Sequence, residues 1–422
     1  MTVSMVTKRT TCRLCMSQNL ELVLPMQPSP IADAFVAGDK RHELQPLFPL
    51  DLYQCQECGH VQNIDIVDPA VLFRNYIFKT SHSKGLIEHF RKYATDVVKK
   101  FSIQDQDLIV EIGSNDGTLL QFFKEKNLRV LGIDPALSIA QQATASGIET
   151  LPEFFTSQIA QNIQSQYGYA KLIVANNVYA HSDQLADMTN GIASLLDEDG
   201  VFVFEVSYLL DMVDRFLFDT IYHEHLSYHS IYSFRRFFQK HGLHLFDIDK
   251  VSTKGGSIRG FVQKKTGARI EQPVIANMIA EEMRRGLNRP PIFQKYEQEI
   301  LQRKYALNQF VDEARSKNQR VVGYGASTTV ITLMYHFELE NKFDYLVDDN
   351  QTKHGLFSPG CHLEVKPSSV LYTDKPDIVI VMAWQYAEMI ISRHQSFLNE
   401  GRCFVVPLPN LQVLCPVAES VI

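Results

Sequence analysis

The chain has 422 residues, more than the roughly 250–300 at which a single hydrophobic core stops growing, so more than one domain is expected. Hydrophobic residues make up 45% and charged residues 21% of it, an ordinary globular balance that excludes extensive disorder. The net charge of −7, from 41 basic and 48 acidic residues, argues against a nucleic-acid partner held by counterion release.

No segment approaches the ~18 consecutive apolar residues of a membrane helix, so no membrane association is expected. The first eleven residues lack the apolar run of a secretory signal. The expected location is the cytoplasm. Seven cysteines, four of them in two close pairs, suit metal binding in a reducing compartment better than a disulfide framework.

Those pairs open the chain. Cys12/Cys15 and Cys55/Cys58 are two Cys-x-x-Cys units. Each brings two thiolates to one side of a tight turn, and together they close a tetrahedral shell for a structural Zn2+. Thioredoxin-like redox use is the alternative, but neither pair sits between a strand and a long helix. His60 is expected to be a bystander. Residues 67–100 then read as helical, interrupted by a loop around Tyr76 and His82 that could cover a cofactor.

The most informative stretch is Asp107–Gly117. An apolar strand ends at Glu111 and enters a turn containing Gly113, Asn115 and Gly117, with a helix from Thr118. Such a turn, at the carboxyl end of a strand, is where open α/β sheets bind ligands, and its glycines would let backbone approach one. Arg129–Asp134 reads as a second strand whose terminal acid, followed by Pro135, can accept ribose hydroxyls. Glu-x-Gly-x-Asn-x-Gly is not the dinucleotide pattern Gly-x-Gly-x-x-Gly. It resembles the turn of class I methyltransferases, which implies S-adenosylmethionine as cofactor. Strands at 171–175, ending on Asn176, and at 200–205 complete the alternation of a doubly wound sheet.

Residues 219–232 hold three of the 14 histidines and three of the 17 tyrosines. Histidine beside a carboxylate suits general acid–base work. His225 and His229 are spaced for one helical face and could instead bind a metal, although no third ligand stands at matching spacing. His181 follows the strand ending at Asn176 and could join the same cleft.

Beyond Pro290-Pro291 a long helix is expected to bury Phe293, Tyr296, Ile300, Leu307, Phe310 and Ala314. A second α/β unit follows, with strands at 320–323, 343–347, 377–382 and 402–406. Its turn Gly323-Tyr324-Gly325-Ala326-Ser327 opens a helix, a natural seat for phosphate.

Taken together, Cys12 to about Pro409 resembles the sugar C-methyltransferases of deoxysugar biosynthesis. The shared features are the paired knuckles, Glu111-x-Gly113-x-Asn115-x-Gly117, and Tyr222-His-Glu-His225-x-x-Tyr228. Gly255-Gly256-Ser257-x-Arg259, Gly323-Tyr324-Gly325-Ala326 and Asp348 through Lys353 to Pro359-Gly360 continue the match. The resemblance implies a zinc-binding module (1–68), a Rossmann-like methyltransferase domain (69–265) and a second Rossmann-like domain (266–422) that binds a sugar nucleotide.

The implied reaction is methyl transfer to C3 of a nucleotide-linked 4-keto-6-deoxyhexose through an enolate. In it, His225 is the base, Glu224 and Tyr222 stand beside it, and His181 and Tyr76 flank the site. Glu111, Gly113, Asn115, Gly117, Asp134, Pro135 and Asn176 would hold the cofactor. Tyr324, Ser327, Asn350 and Lys353 would hold the nucleotide. Relatives carry histidine where this chain has Lys254, and lysine where it has Thr329, which bears on substrate choice. The competing readings are O- or N-methylation of a sugar nucleotide, and a zinc-ribbon binding protein without catalysis.

Overall fold

The computed structural model describes residues 5–74 and 79–416. It divides into two compact units, each assembled from separated stretches of chain. The first comprises Met1–Glu21, Tyr53–Leu210 and Leu226–Pro290; the second comprises Leu22–Leu52, Asp211–His225 and Pro291–Ile422. No helix among the described residues is long and apolar enough to cross a membrane.

The first unit is built on seven strands: β1 (Leu108–Ile112), β2 (Arg129–Ile133), β3 (Thr150–Leu151), β4 (Ala170–Asn176), β5 (Leu196–Ser207), β6 (Leu243–Val251) and β7 (Ser257–Lys264). Their order across the sheet is β6-β7-β5-β4-β1-β2-β3. β1 lies in parallel register with β2 on one side and β4 on the other. It is buried along its whole length, as its unbroken apolar run requires.

The expected parallel alternation is therefore present. The antiparallel β6/β7 pair, which the sequence did not announce, closes one edge. Helix Lys84–Phe101 covers the sheet with Phe90, Tyr93, Ala94 and Val97, the i, i+3, i+4, i+7 face of an amphipathic helix.

The knuckles belong to the same unit. Strand Val61–Asn63 follows the second of them and pairs antiparallel with Ser227–Tyr228.

The second unit carries β8 (Val321–Tyr324), β9 (Leu346–Asp348), β10 (Val365–Pro367), β11 (Ile378–Val381), β12 (Cys403–Val406) and β13 (Gln412–Leu414), ordered β10-β9-β8-β11-β12-β13. All but β13 are parallel. The strand expected at 343–347 starts only at Leu346. Helix Pro291–Ser316 buries Phe293, Tyr296, Ile300, Leu307 and Ala314 as expected, but Val311 in place of Phe310. Four residues past Leu307 is the position that stays on the packed face, and Phe310 falls to its margin. Cys403 and Cys415 are joined as a disulfide, so the cysteines are not all thiols.

One buried carboxylate ties the first unit's later segments together. Glu282 is 1% exposed and accepts hydrogen bonds from the Tyr208 hydroxyl (2.9 Å) and from the Ile231 (2.7 Å) and Tyr232 (2.9 Å) amides at the start of helix Ile231–Lys240. Replacing it with alanine removes the acceptor of all three bonds, two of them fully buried. Glu282→Ala should lose about 2–4 kcal/mol of stability by urea unfolding.

Candidate active site and metal centre

The four cysteine sulfurs lie within 4.8 Å of one another, with Cys12–Cys58 and Cys15–Cys55 each at 3.5 Å. A tetrahedral zinc thiolate shell with Zn–S of ~2.3 Å has sulfurs about 3.8 Å apart. The donor set and spacing fit zinc. Each knuckle closes on its own backbone: Gly59 N–H reaches Cys55 O (2.8 Å), and Met16 N–H reaches Cys12 O (3.0 Å). His60 turns away to the Ser227 hydroxyl (3.2 Å) and stacks on His229. Four ligands fill the shell and leave no position for a reacting water.

At the carboxyl edge of the first sheet, Gly113 (φ 71°), Asn115 (φ 50°) and Gly117 (φ 77°) turn the chain from β1 into helix Thr118–Lys124. The glycines also have a reason that the sequence did not announce. A Cβ on Gly113 would stand 2.3 Å from Val178, and one on Gly117 would stand 3.0 Å from Ile148. They serve left-handed backbone and close internal packing.

Asp134 holds the turn, accepting the Asn115 amide (2.8 Å) and the Ala136 amide (2.9 Å). Each of its oxygens keeps a second lone pair for a hydroxyl. Pro135 follows, half-buried. Asn115 and Asp116 in turn accept the Thr80 and Ser81 amides (2.9 Å each), stapling segment 79–83 over the turn. Tyr76 lies outside the described residues.

The donor set fits a cationic cofactor. Oε2 of Glu111 and both polar side-chain atoms of Asn176 are buried without a well-formed hydrogen bond. Burial pushes the Glu111 carboxyl well above its usual range, and the nearby Asp134 and Asp116 charges push it the same way. An ammonium or sulfonium ligand would relieve that strain. Arg259 does not, because it is committed to Glu205 (2.5 Å), which also accepts from His89 (2.9 Å). That buried trio was missed from sequence; only Arg259 stood within a noted motif. His181 is half-buried and stacks on Phe73 at 5.6 Å.

In the second unit, residues 221–225 form no helix. They follow a single 3-10 turn, Leu217–Thr220, so the helical spacing of His225 and His229 has no structural counterpart. His225 Nδ1 lies 2.7 Å from the Thr220 carbonyl, and its ring packs on Tyr222 with centroids 4.1 Å apart. A carbonyl only accepts, so Nδ1 carries a proton and the ring is oriented from that side. Burial raises the Tyr222 hydroxyl, the Glu224 charge adds to it, and Thr328 opposes both, so Tyr222 remains a neutral phenol. Asp219, also missed, is buried against the Trp384 indole N–H (2.8 Å), and burial carries its carboxyl up to about 7.

Of the nucleotide-binding candidates, Tyr324 shares its hydroxyl between Asp349 (3.0 Å) and His394 (3.2 Å). Ser327 caps helix Thr328–His336 and contacts Thr329 (2.9 Å). Asn350 caps a 3-10 turn. Lys353 is paired with Asp33 (2.9 Å). Lys254 is exposed with φ 52°.

His223, whose Nε2 donates to Phe48 O (3.3 Å), gives a pH prediction. Burial pulls its pKa from 6.5 to about 4. Below 6.5 the unfolded chain takes up a proton that the folded state refuses until about 4, so this contribution is lost as pH falls through that window. Between pH 6.5 and 4, the wild type should lose about 3 kcal/mol more stability than His223→Gln in urea titrations. For the metal centre, Cys58→Ser should lower zinc from one ion per chain, measured by mass spectrometry of the metal. Chelation should lower the melting temperature of the wild type.

Three family models match the chain in order: "Putative zinc binding domain" over residues 12–73, "Methyltransferase domain" over 86–247, and "C-methyltransferase C-terminal domain" over 252–409. The C-methyltransferase NovU of Streptomyces niveus is 31% identical over 410 residues, 97% of each chain. Among solved structures, the magnesium protoporphyrin IX methyltransferase of Synechocystis PCC 6803 is 14% identical, covering 42% of this chain and 81% of its own, with a TM-score of 0.33. A methyltransferase from Clostridium acetobutylicum is 13% identical, covering 43% and 92%, with a TM-score of 0.34.

Proposed function

This chain belongs to the C-methyltransferase family, and we propose that it methylates C3 of a nucleotide-linked (dTDP) 4-keto-6-deoxyhexose in deoxysugar biosynthesis. The observation that carries this reading is the His225 Nδ1–Thr220 carbonyl bond, which places a proton on Nδ1 and so assigns the part of the base to Nε2. A 4-keto group acidifies the C3 proton, and His225 Nε2 takes it. The C–H electron pair passes into the enolate, whose charge rests on the C4 oxygen. Bound S-adenosylmethionine supplies an electrophilic sulfonium methyl, to which C3 bonds as the methyl–sulfur bond breaks.

Tyr222 is positioned beside the base as a neutral phenol able to donate to the enolate oxygen. Glu224 tunes that pair by its charge. His181 and Tyr76 complete the set. Glu111, Asn176 and Asp134 hold the cofactor, with Asn115 and the glycines shaping the turn and Pro135 leading away from it. The nucleotide falls to the carboxyl edge of the second unit's sheet, with Tyr324, Ser327, Asn350 and Lys353 the residues in reach of that edge. The reading takes residues 1–68 as the zinc-binding module, 69–265 as the methyltransferase domain and 266–422 as the sugar-nucleotide domain.

Incubating the enzyme with dTDP-4-keto-6-deoxyglucose in D2O without cofactor should place deuterium at C3, read by proton NMR. An absence of exchange alongside a methylated product would move the reading to O- or N-methylation, which needs no carbanion. His225→Asn should slow turnover by about 10²–10⁴-fold and abolish the exchange.

A further inference from the structure

The first knuckle carries a side chain that the metal does not need. Arg13, between ligands Cys12 and Cys15, is 1% exposed, so its guanidinium must find acceptors inside the protein. It finds three. Nε donates to Asp183 Oδ1 at 3.0 Å, while Nη1 donates to the Leu226 carbonyl at 3.0 Å and to the Asn63 carbonyl. Arg9 adds a second bond to Asp183 Oδ1 (2.9 Å).

The identity of those acceptors matters. Asp183 lies two residues after His181, and Leu226 directly follows His225. The two segments are also joined to each other: the Leu226 and Ser227 amides donate to the Ala180 carbonyl at 3.0 and 3.1 Å. The Asn63 amide reaches the Leu226 carbonyl (3.1 Å), and Gln62 accepts the Arg13 amide (2.8 Å). One planar fork thus holds the backbone beside both candidate catalytic histidines, and the knuckle holds the fork.

We propose that Arg13 is a positioning residue, through which the zinc knuckle sets the backbone of the segments carrying His181 and His225. The proposal rests on the reading of His225 as base. It gives the metal module a part in the chemistry without a metal-bound reactant: the closed thiolate shell fixes the Arg13 backbone, and the guanidinium carries that order to the acceptors. Lysine cannot replace it, because one ammonium on a flexible stem does not match acceptors spread across a rigid fork.

Arg13→Lys in the full, zinc-loaded chain is the first variant, and Asp183→Asn, which removes one acceptor and spares the knuckle, is the second. Three readouts separate positioning from a merely structural role: zinc per chain, kcat and KM with dTDP-4-keto-6-deoxyglucose and S-adenosylmethionine, and amide hydrogen exchange over residues 180–183 and 224–228. Arg13→Lys should keep its zinc and a KM for the cofactor within about twofold, while kcat falls about 10–100-fold. Amide exchange should quicken over both segments. Asp183→Asn should quicken exchange mainly over 180–183.

Unchanged exchange in Arg13→Lys overturns the proposal, as does loss of zinc in step with activity. If His225→Asn proves near normal, the base reading falls on its own. The amide exchange of Arg13→Lys still decides whether Arg13 orders these segments.

Discussion

Glu111, one residue before the end of β1, carries a carboxylate whose charge burial and two neighbouring acids all oppose. Arg259 is spent on Glu205 and lies over the Tyr93 ring. What surrounds Glu111 is instead built to keep the acids in place. Asp134 is locked by two amides, Asp116 by Ser81 and Thr118, and segment 79–83 is drawn over the turn. A site that gathers three acids at the end of a strand, each disfavouring its neighbour's charge, would gain from a positively charged ligand without requiring phosphate.

The second unit treats the same architectural position differently. Its turn at 323–327 also opens a helix, yet Asp348 already accepts the Ala326 amide and Lys353 is neutralised by Asp33. A diphosphate arriving there would meet carboxylates as well as amides, so binding would involve exchange of partners rather than filling of an empty cradle.

Much of this was legible in the sequence because certain constraints act locally. Zinc fixes thiolate spacing within four residues, and parallel strands buried on both faces read as apolar runs, as at 108–112 and 378–381. The antiparallel strand at 243–251 escaped notice because Asp247, Asp249 and Lys250 interrupt its pattern, and its pairing with 257–264 satisfies a ladder that only tertiary structure supplies. Arg13, Asp219, Glu205 and Glu282 were invisible for a related reason. Each looks like an ordinary surface charge until the fold buries it, and its partners lie 50 or more residues away. The glycine turn was legible, but a second reason for its glycines was not: Val178 and Ile148, far along the chain, exclude a side chain there.

The chain passes between its two compact units after Glu21, Leu52, Leu210, His225 and Pro290. During synthesis the second unit therefore waits: residues 22–52 and 211–225 emerge long before the sheet they belong to. The same interleaving limits recombination. A chimera joined near residue 252, at the border of the two later family segments, would import a foreign sheet but retain the native strand-like stretch 22–52 and the loop 211–225. Exchange of the second unit between relatives would then require three segments moved together across five junctions, and evolution by single crossover would be heavily penalised.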